Sequence, residues 1–317
     1  MKILVNDGIS KVGEEALKEV GFEVITDKVP QQELISYVND NKIEVILVRS
    51  ATKVKKDVID ACPSIKIIGR GGVGMDNIDV TYAREKGINV INTPAASSKS
   101  VAELAFAHMF SMVRFLHDSN RNMPLEGESQ FKALKKQYAG GKELAGKTLG
   151  VIGFGRIAIE TIKIALGVGM KVIVADIETI TRDVTLEFFD GQSVTFKITS
   201  VSLDEMLPQA DLITLHVPSQ GKPILGEVEF GKMKKGVGVV NTARGGVIDE
   251  NALLEAIEEG KVKYAALDVF VNEPSPEVRL LMNPELSLTP HIGGSTVEAQ
   301  DRIGLELADQ IKTFYKK

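Results

Sequence analysis

The sequence predicts an α/β protein built from two doubly wound parallel sheets. Short, continuously apolar runs alternate with segments of helical spacing along almost the whole 317-residue chain. Strands that are apolar on both faces and separated by helices are typical of a parallel sheet covered on both sides. The length agrees with two domains, at roughly 150 residues for each domain.

The first domain is expected to be flavodoxin-like and to bind the substrate. We assign it residues 1–93 and 291–317, because a helical pattern from Thr296 to Tyr315 is long enough to return to it. Residues 94–290 then form the second domain. The strands expected in the first domain are Ile3–Val5, Glu23–Ile25, Glu44–Val48, Lys66–Ile68 and Asn89–Ile91.

The second domain carries a glycine-rich turn. Gly153 and Gly155 follow the apolar run Thr148–Ile152 and precede a helical pattern at Ile157–Leu166. Such a turn lets the backbone approach a pyrophosphate, which binds at the start of the following helix. Asp176 ends the next strand, where a carboxylate accepts hydrogen bonds from ribose hydroxyls and repels a 2′-phosphate. These features predict a Rossmann domain that binds NAD, and the alternative is an ordinary βαβ turn.

The remaining second-domain pattern contains a hairpin and a long helix. Alternation on both sides of Asp190 and Gly191 predicts a β-hairpin over 184–198 with a type I′ turn, whose apolar face should be buried. The pattern from Ser97 to Asp118 is apolar on so much of its surface that it should be buried on several sides, against a partner subunit among others. Residues 122–142 resemble a surface arm.

Composition excludes several classes of function. The net charge of −5 offers no general attraction to nucleic acid or to an anionic membrane. The single Cys62 excludes an internal disulfide, and no segment resembles a signal peptide or a membrane span, so we expect a cytoplasmic protein. His108 and His117 have no acidic or cysteine neighbour at ligand spacing, which favours structural roles and no metal site.

Polar residues in the first domain follow two of its expected strands. Arg49 comes directly after one strand and Arg70 after the next, and strand carboxyl ends are where ligands of such sheets bind. The loop 68–79 is rich in glycine, so its N–H groups are either a nest for a carboxylate or part of a turn that needs positive φ.

Three further residues follow strands of the second domain. Arg244, Glu273 and His291 each stand in a loop after an apolar run, which places them at strand carboxyl ends. Taken individually, an arginine in a glycine turn, a glutamate before proline and a histidine after proline are usually ordinary loop residues. Spacing alone therefore leaves their roles open.

Motifs around these residues resemble the D-isomer-specific 2-hydroxyacid dehydrogenases over nearly the whole chain. The motifs that carry the resemblance are Gly74–Asp79, Asn241–Gly246, Leu267–Pro274 and Thr289–Thr296. Within that family, Arg49–Val54 and Gly146–Gly150 are most similar to the D-3-phosphoglycerate dehydrogenases. Hairpin 184–198 is longer than the usual connection of the family at this point.

The resemblance implies roles for the catalytic residues. Arg244 would hold the substrate carboxylate, His291 would exchange the hydroxyl proton, and Glu273 would orient the imidazole. The implied substrate-binding set is Arg49, Ser50, Arg70, Val73, Gly74, Arg244 and His291. The implied NAD-binding set is Gly153, Gly155, Arg156, Ile157, Asp176, Val217, Pro218, Thr242, Ala243, Asp268, Gly293 and Gly294.

The expected activity is NAD-dependent oxidation of D-3-phosphoglycerate, the entry to serine synthesis, in a homodimer formed through the 97–118 helix region. Arg49 and Arg70 would share the phosphate, with Lys135 or Lys136 as a third cation, although both arginines would otherwise pair with Asp76 or Asp79. One alternative is a reductase of glyoxylate, hydroxypyruvate or another D-2-hydroxyacid; the other is an NAD(H)-sensing corepressor. The chain stops after its last helical pattern, so we expect no regulatory domain.

Overall fold

The computed structural model describes residues 1–316 and contains two compact units, each with its own parallel sheet. One unit comprises Met1–Ser100 and Gly294–Lys317, and the other comprises Val101–Gly293. The α/β fold with two doubly wound domains is thus confirmed. The predicted boundaries at 93/94 and 290/291 differ from the limits of these units and stay a prediction.

The first unit has a five-stranded sheet of order β2-β1-β3-β4-β5. Its strands are β1 (Lys2–Val5), β2 (Glu23–Ile25), β3 (Val45–Val48), β4 (Ile67–Arg70) and β5 (Asn89–Asn92). Its helices are α1 (Lys11–Lys18), α2 (Leu34–Asn41), α3 (Lys56–Ala61), α4 (Val80–Glu85) and the last helix of the chain, α12 (Val297–Tyr315). Apolar side chains pack on both faces of the sheet, as the continuous apolar runs predict.

The C-terminal helix packs against the first helix of this unit. A Cβ atom on Gly13 of α1 would lie 2.6 Å from the Cα atom of Gly304 in α12. The two backbones therefore touch where both residues lack a side chain. Side chains of α12, including Ile303 and Leu307, complete one of the two apolar clusters.

The second unit has a six-stranded parallel sheet of order β13-β12-β11-β10-β6-β7. Its strands are β6 (Thr148–Ile152), β7 (Lys171–Ala175), β10 (Leu212–Leu215), β11 (Val237–Asn241), β12 (Val262–Leu267) and β13 (Leu286–Leu288). The helices are α5 (Ser98–Val113), which begins three residues before this unit, α6 (Leu116–Gln137), α7 (Arg156–Gly167), α8 (Leu203–Met206), α9 (Glu227–Lys232), α10 (Glu250–Glu258) and α11 (Val278–Leu281). Large apolar clusters cover both faces of this sheet.

The prediction of one helix over 97–118 followed by a surface arm is wrong. Helix α5 ends at Val113, and Phe115, with φ of 55°, separates it from α6. Most of the expected arm is helical, although Gln130 departs from helical geometry. Its polar composition concealed the helix, since α6 buries only Leu134.

The hairpin is confirmed, with a different turn. Strands β8 (Thr181–Glu187) and β9 (Ser193–Thr199) pair antiparallel, and Val184 lies opposite Phe196. Gly191 has φ of 84°, whereas Asp190 is not among the positive-φ residues, so the two-residue type I′ turn is wrong. The apolar face is buried only near its base: Val184 is 0% exposed, whereas Phe188 and Val194, nearer the turn, are 49% and 48% exposed.

None of the helices in residues 1–316 combines the length and apolar character needed to cross a membrane.

Candidate active site

Arg244 lies in a tight turn directly after β11. The buried Asn241 side chain holds this turn, because its Nδ2 donates to the Arg244 carbonyl at 2.9 Å and its Oδ1 accepts from the Ala243 N–H at 3.0 Å. Nη1 of Arg244 also donates to the Ala243 carbonyl at 2.6 Å. The guanidinium is therefore presented by a rigid backbone at a strand carboxyl end. The sequence alone indicates no role for Asn241, although this residue opens the motif Asn241–Gly246.

Glu273 and His291 form a hydrogen-bonded pair. His291 Nδ1 lies 2.7 Å from Glu273 Oε2, and Glu273 Oε1 accepts from the Phe270 N–H at 3.0 Å. Because an ionised carboxylate only accepts hydrogen bonds, Nδ1 must carry the proton. The Nε2 atom of a neutral imidazole then has the free lone pair, which is the arrangement required of a general base.

The charge of Glu273 is maintained by these neighbours. Burial raises the pKa of Glu273, but the hydrogen bonds from His291 and the Phe270 N–H, with the charges of His291 and Arg244, outweigh it. The net pKa lies below the ordinary 4.5. Glu273 is thus a carboxylate at neutral pH and stabilises positive charge on the imidazole.

Asp268 anchors the loop that carries His291. Its carboxylate accepts from Thr289 Oγ1 at 2.6 Å, from the Ile292 N–H at 2.8 Å and from the Gly293 N–H at 2.9 Å. Its carbonyl accepts from the His291 N–H at 2.8 Å. Asp268 is 1% exposed, and its hydrogen bonds fix the backbone of the loop on both sides of His291. The family resemblance implies an NAD contact for Asp268, and that contact stays a prediction.

The other three histidines have structural environments. His108 is buried, with Nδ1 at 2.9 Å from Ser287 Oγ and Nε2 at 3.0 Å from Thr289 Oγ1. Burial lowers the pKa of His108, and of His216 to about 3. His117 Nε2 lies 3.2 Å from the Pro284 carbonyl. Among residues 1–316, no cluster of three or more His, Cys, Asp or Glu side chains has the arrangement of a metal site.

The glycine-rich turn after β6 has the geometry of a dinucleotide site. Gly153 has φ of 89°, and a Cβ there would lie 2.6 Å from the His216 carbonyl oxygen. A Cβ on Gly155 would project into open space, the position that a pyrophosphate needs. The Asp176 carboxylate reaches back to this turn and accepts from the Phe154 N–H at 2.7 Å.

Other residues of the predicted NAD-binding set lie around the same sheet edge. Arg156 and Ile157 open α7, while Val217 and Pro218 follow β10. The Thr242 hydroxyl after β11 is buried and has no hydrogen-bond partner among the described residues. A buried hydroxyl without a partner is unfavourable, so Thr242 is suited to contact a bound group.

Five of the seven predicted substrate-binding residues lie in the first unit, whereas Arg244 and His291 lie in the second. Val48 and Arg70 are neighbours in the pairing of β3 with β4, so Arg49 and Arg70 lie at adjacent strand ends. A Cβ on Gly72 would overlap the Arg70 guanidinium, at 1.6 Å from Nη1. The exposed Ser50 follows Arg49 in the same loop.

The loop after β4 also provides backbone donors. The N–H groups of Val73 and Gly74 have no acceptor among the described residues, and Asn92 Nδ2 fixes the loop by donating to the Val73 carbonyl at 2.8 Å. Positive φ in this loop occurs only at Gly72, with φ of 139°. Gly294 is the one residue of the predicted NAD-binding set that lies in this unit, and its would-be Cβ is 3.4 Å from the Ser97 Cβ.

Comparison with known proteins identifies the family. The family described as "D-isomer specific 2-hydroxyacid dehydrogenase, NAD binding domain" matches residues 106–293. The chain is 44% identical over 316 residues to a hydroxypyruvate reductase of Thermotoga maritima, covering 98% of this chain and 97% of that protein. The chain belongs to the D-isomer-specific 2-hydroxyacid dehydrogenases.

Two further relatives of this dehydrogenase are named for other substrates than hydroxypyruvate. It is 43% identical to a D-3-phosphoglycerate dehydrogenase of Methanocaldococcus jannaschii, covering 98% of this chain but 57% of that protein. A D-lactate dehydrogenase of Aquifex aeolicus, solved with NAD and lactic acid, superposes with a TM-score of 0.76 at 30% identity, covering 100% and 96% of the two chains. The chain is therefore an NAD-dependent oxidoreductase. The open space at Gly155 and the orphan Thr242 hydroxyl fit that cofactor.

Proposed function

We propose that this dehydrogenase oxidises D-3-phosphoglycerate to 3-phosphohydroxypyruvate, with NAD as hydride acceptor. The observation that carries the substrate assignment is the adjacent placement of Arg49 and Arg70 at the ends of β3 and β4. Two guanidinium groups at one sheet edge suit a phosphate dianion, which lactate and glyoxylate lack. The family membership supports the reaction type.

Arg244 and the Glu273–His291 pair are proposed to perform the acid–base chemistry. Bound NAD supplies the acceptor for the hydride that leaves C2. His291 Nε2 takes the hydroxyl proton in oxidation and returns it in reduction, while Nδ1 stays bonded to Glu273. Arg244 binds the substrate carboxylate. In the first unit, the N–H groups of Val73 and Gly74 have no acceptor among the described residues and are available to an anion.

The contacts of Arg49 support a role in ligand binding. Its backbone is fixed on both sides: the Arg49 N–H donates to Asp7 Oδ2 at 2.7 Å, and Asn77 Nδ2 donates to the Arg49 carbonyl at 2.9 Å. Its guanidinium forms no ion pair with the described residues, and Asp79 instead pairs with Lys55 at 3.1 Å. A fixed backbone and an unpaired charge suit an anion site.

The second candidate is a reductase of hydroxypyruvate or glyoxylate. Its support is the Thermotoga maritima hydroxypyruvate reductase, because the similarity extends over 97% of that protein. The D-3-phosphoglycerate dehydrogenase from Methanocaldococcus jannaschii is longer, and this chain spans about 57% of it. No observation favours the corepressor alternative, and turnover of either acid at an enzymatic rate would contradict it.

We also propose a cytoplasmic homodimer that assembles through the 97–118 helix region. Phe110 and Leu116 in this region are exposed large apolar side chains, as are Leu125 and Phe131 on α6. Exposed apolar groups along neighbouring helices are typical of a protein interface. Light scattering should give the mass of a dimer, and Phe110→Asp should lower that mass.

The substrate assignment is tested by Arg49→Gln. Hydrogen bonds to charged groups contribute ~1.5–3 kcal/mol, so kcat/KM for phosphohydroxypyruvate should fall about tenfold to a hundredfold. Activity on hydroxypyruvate should change little, since it lacks the phosphate. The control is Arg84→Gln, at an exposed arginine on α4 of the same unit. This substitution should leave kcat/KM for both substrates unchanged. An equal loss on both substrates would mean that Arg49 holds the fold or the carboxylate instead.

A further inference from the structure

A lysine-rich cavity lies at the amino ends of the strands of the six-stranded sheet, whereas Arg244 and His291 follow the carboxyl ends. Its volume is about 280 Å³, and its walls include residues at the beginning of β6, β10, β11 and β12. Five ammonium groups line it against two carboxylates, Glu143 and Asp211. The five are Lys142, Lys147, Lys234, Lys235 and Lys263.

The positive charge of this cavity is largely uncompensated. Lys234 Nζ pairs with Asp211 Oδ1 at 2.8 Å, and Asp211 Oδ2 accepts from the Thr148 N–H at 2.8 Å. The other four ammonium groups have no carboxylate within ion-pair distance among residues 1–316. Like charges gathered in a concave site repel one another, and an anion bound there would remove that repulsion.

Tyr264 provides an independent observation. Its side chain lines the cavity and is 8% exposed, yet its hydroxyl has no hydrogen-bond partner among the described residues. Lys263 Nζ stands 5.4 Å from the centre of the Tyr264 ring. Buried polar atoms are nearly always hydrogen-bonded, so this phenol still has a donor to offer to a bound group.

We propose that this cavity binds a compact, multiply charged phosphate anion of the pyrophosphate class. Ammonium groups on flexible stems bind phosphate oxygens as point charges, and the phenol adds one neutral donor. The volume is at or below the small end of ligand pockets, which suits two linked phosphates better than a nucleotide.

The cavity is separate from the catalytic residues but shares strands with them. Strand β11 runs from Val237 in the cavity wall to Asn241, which holds the Arg244 turn. Strand β12 runs from Val262, next to Lys263, to Leu267, directly before Asp268. Binding in the cavity can therefore be measured while the NAD site is occupied.

The test is calorimetric titration of the NADH-saturated protein with inorganic pyrophosphate at constant ionic strength. We expect saturable binding of pyrophosphate that depends on the cavity lysines. The double variant Lys235→Gln/Lys263→Gln should weaken it about tenfold, since each lost charged contact contributes modestly at a partly exposed site. The control is Lys197→Gln, an exposed lysine on the hairpin, which should bind as the wild type does.

Tyr264→Phe separates a ligand contact from a structural one. Because the hydroxyl has no partner in the described protein, its removal should leave the melting temperature unchanged or slightly raised while weakening pyrophosphate binding several-fold. The proposal is overturned by the absence of binding at millimolar pyrophosphate. It is equally overturned if the lysine double variant and Lys197→Gln bind alike, or if Tyr264→Phe lowers stability without changing affinity.

Discussion

Gly245 lies against the backbone of Phe270: a Cβ atom on Gly245 would stand 1.9 Å from the Phe270 carbonyl oxygen. Gly245 follows Arg244, and the Phe270 N–H donates to Glu273. The loop of the arginine and the loop of the glutamate thus touch where any side chain would separate them.

Gly245→Ala should therefore reduce turnover without removing any catalytic group. A displacement of about 1 Å can cost on the order of 10²-fold in rate, and we expect kcat/KM to fall by about that factor. Gly231→Ala on α9 is the matched control, because nothing lies within 4 Å of its would-be Cβ. Steady-state kinetics with both variants tests this, and wild-type rates for Gly245→Ala would show that the two loops can separate without loss.

His291 and Glu273 should respond differently to substitution. His291 has φ of 54°, a conformation that asparagine tolerates, so His291→Asn should fold normally. Its turnover should fall ~10²–10⁴-fold while NADH binding, followed by fluorescence, stays close to the wild type. Full activity in this variant would exclude His291 as the base.

Glu273→Gln should chiefly alter the pH profile. The pKa of Glu273 is lowered in the folded protein, so its charge is present from neutral pH down to below its ordinary value. The glutamine variant lacks the charge that stabilises an imidazolium, so the acid limb of kcat/KM for oxidation should move to lower pH. An unchanged profile at reduced rate would mean that Glu273 only positions the ring.

Asp176 should make the enzyme prefer NAD over NADP. Its carboxylate lies at the glycine turn, where it would face a 2′-phosphate. Arg182 of the hairpin stands 5.7 Å from the centre of the Phe154 ring in that turn. Asp176→Ser should therefore gain NADP activity, and adding Arg182→Ala should remove the gain. Equal kcat/KM values of the wild type with both cofactors would show that Asp176 is misplaced.

His216 should make stability depend on pH. Burial lowers the pKa of His216 from 6.5 to about 3, so below pH 6.5 the unfolded chain binds a proton that the folded chain does not. The free energy of unfolding should therefore fall as the pH decreases from 6.5 toward 3, by up to ~1.4 kcal/mol per pH unit from this group. Denaturant titrations of wild type and His216→Gln between pH 5 and 7 test this. Identical pH dependence would contradict it.

The sequence was sufficient for the fold because apolar runs on both faces specify buried parallel strands. The carboxyl ends of those strands located Arg244, Glu273 and His291, although only the structure shows Glu273 bonded to His291. The roles of Asn241 and Asp268 as anchors were not visible, since a side chain that bonds its own loop leaves no periodic signal.

Local geometry was harder to predict than the order of elements. Positive φ at Phe115 divides the predicted 97–118 helix, and no glycine marks the break. Val184 of the hairpin is buried, while Phe196, its partner on the opposite strand, is 38% exposed. Alternation identifies the apolar face of a hairpin but not how far the rest of the domain covers it.

The most direct test of the proposed function compares two substrates of the wild-type enzyme. Oxidation of NADH is followed at 340 nm with 3-phosphohydroxypyruvate and with hydroxypyruvate, which differ only in the phosphate. If Arg49 and Arg70 hold that phosphate, kcat/KM should be higher for the phosphorylated acid by about tenfold or more. A higher or equal kcat/KM for hydroxypyruvate would contradict the phosphoglycerate assignment and favour the reductase.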